Sequence, residues 1–227
     1  MHYDFIEIGT ADFDTLVEQD WPEDVTGICV EPRKHLLDNL VCRPNVKKVN
    51  AGISLQDGDA PIYYLDDENL PLSLTSAAGF SALNEEEIRG CSSLYHLHPF
   101  INHFLETSFI APEHVQTNIV PVMTWATFAD KYDVTTIGDL KIDAEGHDVV
   151  ILEQYLAYCE THPECLAQRV QFEKNSETWG DIFADLIKKL NAIGYVEDCL
   201  SNLENAFFVL SPRDILIFGQ TNLVINK

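Results

Sequence analysis

Tyr3-Asp4-Phe5-Ile6-Glu7-Ile8-Gly9 opens the chain with a short apolar run that ends in an acid and a glycine. Thr26-Gly27-Ile28-Cys29-Val30-Glu31 repeats the pattern, again closing on an acid. Brief apolar runs bounded by turn residues read as buried strands. The first strand, at about 3–8, is expected to lead through a turn into a helix near 12–20. The second leads into a helix carrying His35, Leu36, Leu37 and Leu40, and Pro32 suits its first turn because a proline there sacrifices no hydrogen bond. Val46 to Ile53 reads as a third strand. This alternation predicts an α/β fold with a mostly parallel sheet and helices on both faces.

The same rhythm returns from Val115. Val115 to Met123 reads as a strand, Thr124 as the cap of a short helix through Lys131, and Ile137 to Asp143 as the next strand. A helix at Asp148 to Cys159 and a strand at Arg169 to Glu173 follow. The next helix has one apolar face made of Trp179, Ile182, Phe183, Leu186, Ile187, Leu190 and Ile193. Lys188 and Lys189 favour its C-terminal dipole and Gly194 ends it. Tyr195 to Leu200 and Ala206 to Leu210 form an expected closing antiparallel pair. Residues 56–114 break the rhythm: Ile62 to Leu65 suits a strand, but Asp66 to Pro71 and Ser73 to Gly79 are loop-like, and Cys91 to His103 is rich in Ser and His. The chain is expected to be one domain over 1–227, with 56–114 inserted as a substrate loop or lid. A surface excursion without such a role fits the composition equally well.

Composition excludes several functions. With 14 basic and 37 acidic side chains the net charge is −23, and no Lys/Arg cluster is present to neutralise phosphates. Neutral or cationic small molecules, glycans and protein side chains suit such a surface better than nucleic acid. No apolar run approaches the about 18 residues of a membrane span, and no basic leader precedes the first strand, so a cytoplasmic location is expected. Six scattered cysteines without a Cys-x-x-Cys pair read as reduced thiols, with Cys29 and Cys199 in apolar, strand-like runs.

Three places could carry chemistry. Glu7 and Gly9 end the first strand at the carboxyl edge of the sheet, where ligands bind in open α/β folds. Glycine admits close backbone approach, and Glu7 could attract an ammonium group. Glu31 ends the second strand 24 residues later, placed for the two ribose hydroxyls of an adenosine. Each also has a plain structural reading: glycine after a strand is common, and an acid before a proline favours a helix N-terminus. The absence of Gly-x-Gly-x-x-Gly argues against a nicotinamide dinucleotide, whose pyrophosphate needs that turn. The third place is Asp143-Ala144-Glu145-Gly146-His147-Asp148. His147 suits a general base near neutral pH, and Asp143 could orient a hydroxyl or hold a hard cation. The plain alternative makes Glu145 and Asp148 solvated helix-start charges and His147 a surface residue.

The run Ile137 to Leu152, IGDLKIDAEGHDVVIL, resembles the signature of FkbM-type methyltransferases, which reads roughly lKiDvEGhE. EIGTADFDTL (Glu7 to Leu16) and CVEPRKHLLDNL (Cys29 to Leu40) are similar to the first two motifs of that family. VNAGIS (Val49 to Ser54), Phe172-Glu173 and LNAIGY (Leu190 to Tyr195) match further segments. Ala11-Asp12-Phe13 departs from the common first motif, which often has Asn and a further Gly. The resemblance implies a Rossmann-like class I methyltransferase fold: a seven-stranded, mostly parallel sheet closed by an antiparallel hairpin. It implies S-adenosylmethionine as cofactor and methyl transfer to a hydroxyl oxygen of a sugar or small metabolite. Carried over residue by residue, Glu7, Gly9 and Thr10 line the methionine half. Glu31 meets the ribose, Ala51 and Gly52 the adenine side, Asp143 faces the transferred methyl, and Asp12 and Pro32 complete the cofactor-binding set.

Asp143, Glu145 and His147 are the expected catalytic group, with His147 or Asp143 as base. A magnesium-assisted variant would use Asp143, Glu173 and Asn175. His96, His98 and His103 read as lid histidines in preference to a metal cluster. Two other readings remain at this point: a catalytically silent methyltransferase-like binding protein, and a nicotinamide-linked oxidoreductase. The oligomeric state is not legible.

Overall fold

The computed structural model describes residues 1–65, 90–94, 102, 105–106, 111–174, 176–199, 201 and 205–211, with the backbone alone for 176–181. Its strands are β1 (His2–Ile8), β2 (Gly27–Val30), β3 (Val46–Val49), β4 (Gly52–Ile53), β5 (Gly58–Leu65), β6 (Val115–Met123), β7 (Thr136–Ile142), β8 (Arg169–Glu173), β9 (Tyr195–Glu197) and β10 (Asn205–Leu210). Its helices are α1 (Lys34–Asn39), α2 (Trp125–Lys131), α3 (Asp148–Thr161) and α4 (Ser176–Ala192).

Seven strands form the main sheet in the order β3-β2-β1-β7-β8-β10-β9. All pairings are parallel except those of β10, which runs antiparallel to both β8 and β9. This is the mostly parallel, hairpin-closed sheet that the sequence predicts. The period-2 pattern of the strands sorts the core into two layers. Ile6, Ile8, Ile28, Val30, Val170, Phe172, Ala206 and Phe208 share one large cluster with Trp125, Phe128, Leu152, Tyr155, Leu186 and Leu190 from α2, α3 and α4. Phe5 and Cys29 face the other way, onto Leu16, Val17, Val25, Leu37 and Leu40. Thr124 caps α2 as expected, its side chain accepting the Thr127 amide, and Gly194 ends α4 at φ +100°.

Several expectations change. The helix near 12–20 is a loop with one 3-10 turn at Leu16–Glu18. Left-handed Ala11 and Asp14 break the helical path, and the Leu16 amide is drawn to Glu7 Oε2 at 2.8 Å. Pro32 lies before the helix, whose N-cap is Arg33. The strand over Val46 to Ile53 divides into β3 and β4, because the Ala51 amide turns back to Val49 O and Asn50 Nδ2 donates to the carbonyls of Glu31 and Pro32. Val115 to Met123 is a strand, but it pairs outside the main sheet, in a second sheet of order β4-β6-β5. There β5 lies antiparallel to β6 from Gly58 opposite Val122 to Leu65 opposite Val115, and Ser93 bridges to Tyr63. The start of the 56–114 segment is therefore a long strand. Residues 66–89 and the histidines 96, 98 and 103 lie outside the described residues. All six cysteines are free; Cys199 is exposed just past β9 instead of sitting inside a strand.

Candidate active site

The carboxyl ends of β1, β2 and β7 meet β4 and β5 of the small sheet around an open cleft. Gly9 lines it. Its φ is +79°, and a Cβ there would stand 1.9 Å from the Asp143 carbonyl oxygen, so the first loop and the loop after β7 touch backbone to backbone. The Gly9 amide donates to Val30 O, and the Asp143 amide donates to Ile8 O, each at 2.9 Å. Glycine is required here because any side chain would separate the two loops.

Glu31 is buried on the cleft wall. Its Oε2 accepts the Ala11 amide at 3.0 Å and its Oε1 the Arg33 amide at 2.8 Å. Burial raises its pKa to about 7 against the pull of these amides and of the Arg33 charge. Each oxygen keeps a further lone pair for an incoming donor. Thr10, Pro32, Ala51 and Gly52 line the same cleft. Ile53 and Ile62 of the small sheet, with Leu94, add an apolar wall, and Leu94 fills the place a Cβ on Gly52 would need, 2.4 Å away. A flat apolar slot beside a buried acid suits a base with its ribose.

Asp143 lies deep in the molecule, yet its side chain is 40% accessible because it faces the cleft. Its pKa is raised by burial and drawn back by Lys141. Glu145 lines the cleft in a left-handed conformation (φ +49°), its carboxyl pushed well up by burial and by the Asp143 charge. Asp148 is fully buried; its Oδ2 accepts the Ala144 amide and its Oδ1 the Glu173 amide, at 3.3 and 3.4 Å. It fastens the loop after β7 to β8, which corrects the reading of a solvated helix-start charge.

Glu7, Asp12, His147 and Glu173 lie off the cleft wall. Glu7 is fully buried, and the ammonium it meets belongs to the chain: Lys141 Nζ, 3.1 Å from Oε1. Burial lifts the Glu7 pKa to about 7, with Lys141 and the Leu16 amide opposing. Asp12 accepts from Asn39 Nδ2 at 3.0 Å on the outer side of the loop. His147 is buried at the N-cap of α3, and burial holds its pKa down at about 4. It is neither a surface residue nor a member of the cleft wall. Among the described residues no group of three or more His, Cys, Asp or Glu side chains is arranged to hold a metal; Asn175 lies outside them. The magnesium alternative is therefore without support.

Sequence reasoning missed Lys141, Phe13 and Asp14. Phe13 and Asp14 line the cleft from within the segment expected to be helical. The signal for Lys141 was available: a lysine in an apolar central strand, beside Glu7 in the parallel register of β1 and β7.

Neither a curated protein nor a solved structure matches the chain. The family model described as Methyltransferase FkbM domain matches residues 7–197, from the acid at the end of β1 through β9. That span takes in every wall of the cleft, and the chain belongs to the FkbM methyltransferase family.

Proposed function

We propose that this methyltransferase uses S-adenosylmethionine and methylates a hydroxyl oxygen of a sugar or other small acceptor. One observation supports the reading: Gly9, Glu31, Ala51–Gly52 and Asp143, from four separate segments, line a single cleft. The residues fit the cofactor, since the backbone-walled approach at Gly9 and the buried acceptor at Glu31 are what an adenosine with an amino-acid tail needs. The cofactor supplies an electrophilic methyl on a sulfonium.

The chain supplies placement and a proton acceptor. Glu31 accepts from the ribose hydroxyls, and the apolar wall at Ile53 and Ile62 holds the base. Asp143, open to the cleft with the Lys141 ammonium 3.6 Å away, orients the acceptor hydroxyl and takes its proton, with Glu145 beside it. His147 has no part in this scheme, because it lies off the cleft wall and stays neutral. A −23 net charge disfavours polyanionic acceptors.

Calorimetric titration with S-adenosylmethionine, S-adenosylhomocysteine and NAD tests the reading. Micromolar binding of the two sulfur compounds and none of NAD is expected. Absence of both would leave a silent methyltransferase-like scaffold as the better account.

A further inference from the structure

The first loop is built unusually. Gly9, Ala11 and Asp14 all adopt left-handed backbone, at φ +79°, +44° and +49°. Glycine does so freely, whereas alanine and aspartate must be held there. Three side chains from neighbouring strands do the holding. Glu31 accepts the Ala11 amide at 3.0 Å, and Glu7 accepts the Leu16 amide at 2.8 Å. Lys141, 5% exposed on the central strand β7, donates to the Asp14 carbonyl at 2.7 Å.

Lys141 does more than neutralise one acid. Its ammonium stands 3.1 Å from Glu7, 3.6 Å from Asp143 and 2.7 Å from the Asp14 carbonyl. The ammonium thus pairs with one carboxylate on β1 and another in the loop after β7, and donates a hydrogen bond to the Asp14 carbonyl of the first loop. A simple counter-ion for Glu7 would need only the first. We propose that Lys141 is a positioning residue for cofactor binding: it clasps the left-handed loop 9–14 to the sheet and to Asp143. The proposal rests on the reading that this cleft holds S-adenosylmethionine.

The test compares wild type with Lys141→Met, Glu7→Gln and the pair Glu7→Gln/Lys141→Met, which leaves no fully buried carboxylate at position 7 without its ammonium. Hydrogen exchange at each amide of Ala11 to Leu16 is followed in the unliganded protein, against amides of β8 and β10. S-adenosylhomocysteine affinity is measured by calorimetry. Loss of a charge-assisted hydrogen bond predicts about ten- to hundred-fold faster exchange in the loop in both Lys141 variants, and a similar rise in Kd. Amides of β8 and β10 stay at wild-type rates, and Glu7→Gln alone leaves the Ala11 to Asp14 amides protected. Wild-type exchange in the loop of the paired variant overturns the proposal. Loss of β8 and β10 protection in both Lys141 variants also overturns it, since Lys141 would then hold the sheet and not the loop. If wild type fails to bind S-adenosylhomocysteine, the functional reading falls while the exchange data still decide the clasp.

Discussion

Replacing Gly9 by alanine should damage stability and cofactor binding together. The added Cβ would lie 1.9 Å from the Asp143 carbonyl oxygen and 2.7 Å from its carbonyl carbon. Comfortable contact between carbon atoms begins near about 3.5 Å, so one loop must move by more than an ångström. Both loops are pinned, by Gly9 to Val30 and by Asp143 to Ile8. A left-handed side chain costs about 1–2 kcal/mol and overpacking about 1–3 kcal/mol. The sum of about 2–5 kcal/mol is a large part of a typical total of about 5–15 kcal/mol. At about 2–4 °C per kcal/mol for a chain of this size, Tm should fall by about 4–20 °C. Gly58→Ala is the control, because Gly58 also has positive φ (+137°) but nothing lies within 4 Å of its Cβ. It carries the backbone cost and the unfolded-state entropy gain without the collision. Thermal denaturation and S-adenosylhomocysteine titration of both variants decide the matter. A Gly9→Ala protein that loses no more Tm than Gly58→Ala, and binds like wild type, would refute the packing argument.

Glu31→Ala should weaken S-adenosylhomocysteine binding at least ten-fold, since it removes the ribose acceptor and frees the Ala11 amide; unchanged affinity by calorimetry would contradict the assignment. Between pH 4.5 and 7, Glu7 and Glu31 hold more protons folded than unfolded, because burial lifts each from 4.5 to about 7. Stability therefore falls as pH rises through that window. His147, lowered by burial from 6.5 to about 4, acts in the opposite sense over 4–6.5, but as one group against two. Tm should be higher at pH 5 than at pH 7.5, and a rise across that interval would contradict the assignment. Tyr155→Phe should cost about 1–3 kcal/mol in urea denaturation, because the buried Tyr155 hydroxyl accepts the Ala167 amide at 2.6 Å; a cost near zero would mean the amide finds another partner.

The strands of the main sheet were legible because each is a short apolar run closed by a charged or turn residue, and local pattern is enough to find those. Glu31 and Asp143 were legible for the same reason, as acids at strand ends. The helix over 12–20 was misread because Leu16, Val17 and Trp21 mimic an apolar stripe, while the left-handed Ala11 and Asp14 carry no glycine to announce them. The pairing of β5 with β6 joins residues from 50 (Leu65 to Val115) to 64 (Gly58 to Val122) positions apart, and no local pattern encodes which sheet a strand enters. Placing β3 and β4 in different sheets depends on two hydrogen bonds from one asparagine side chain. Glu7 and His147 were misjudged for one physical reason: residue type gives the chemistry of a side chain, and burial decides whether a ligand can reach it.

The most direct test of the whole account is the crystal structure of the S-adenosylhomocysteine complex. The account predicts the nucleoside in the cleft between Gly9 and Ile62, its ribose hydroxyls on the Glu31 carboxylate and its sulfur on the Asp143 side. A ligand bound elsewhere, or a ribose turned away from Glu31, would contradict it.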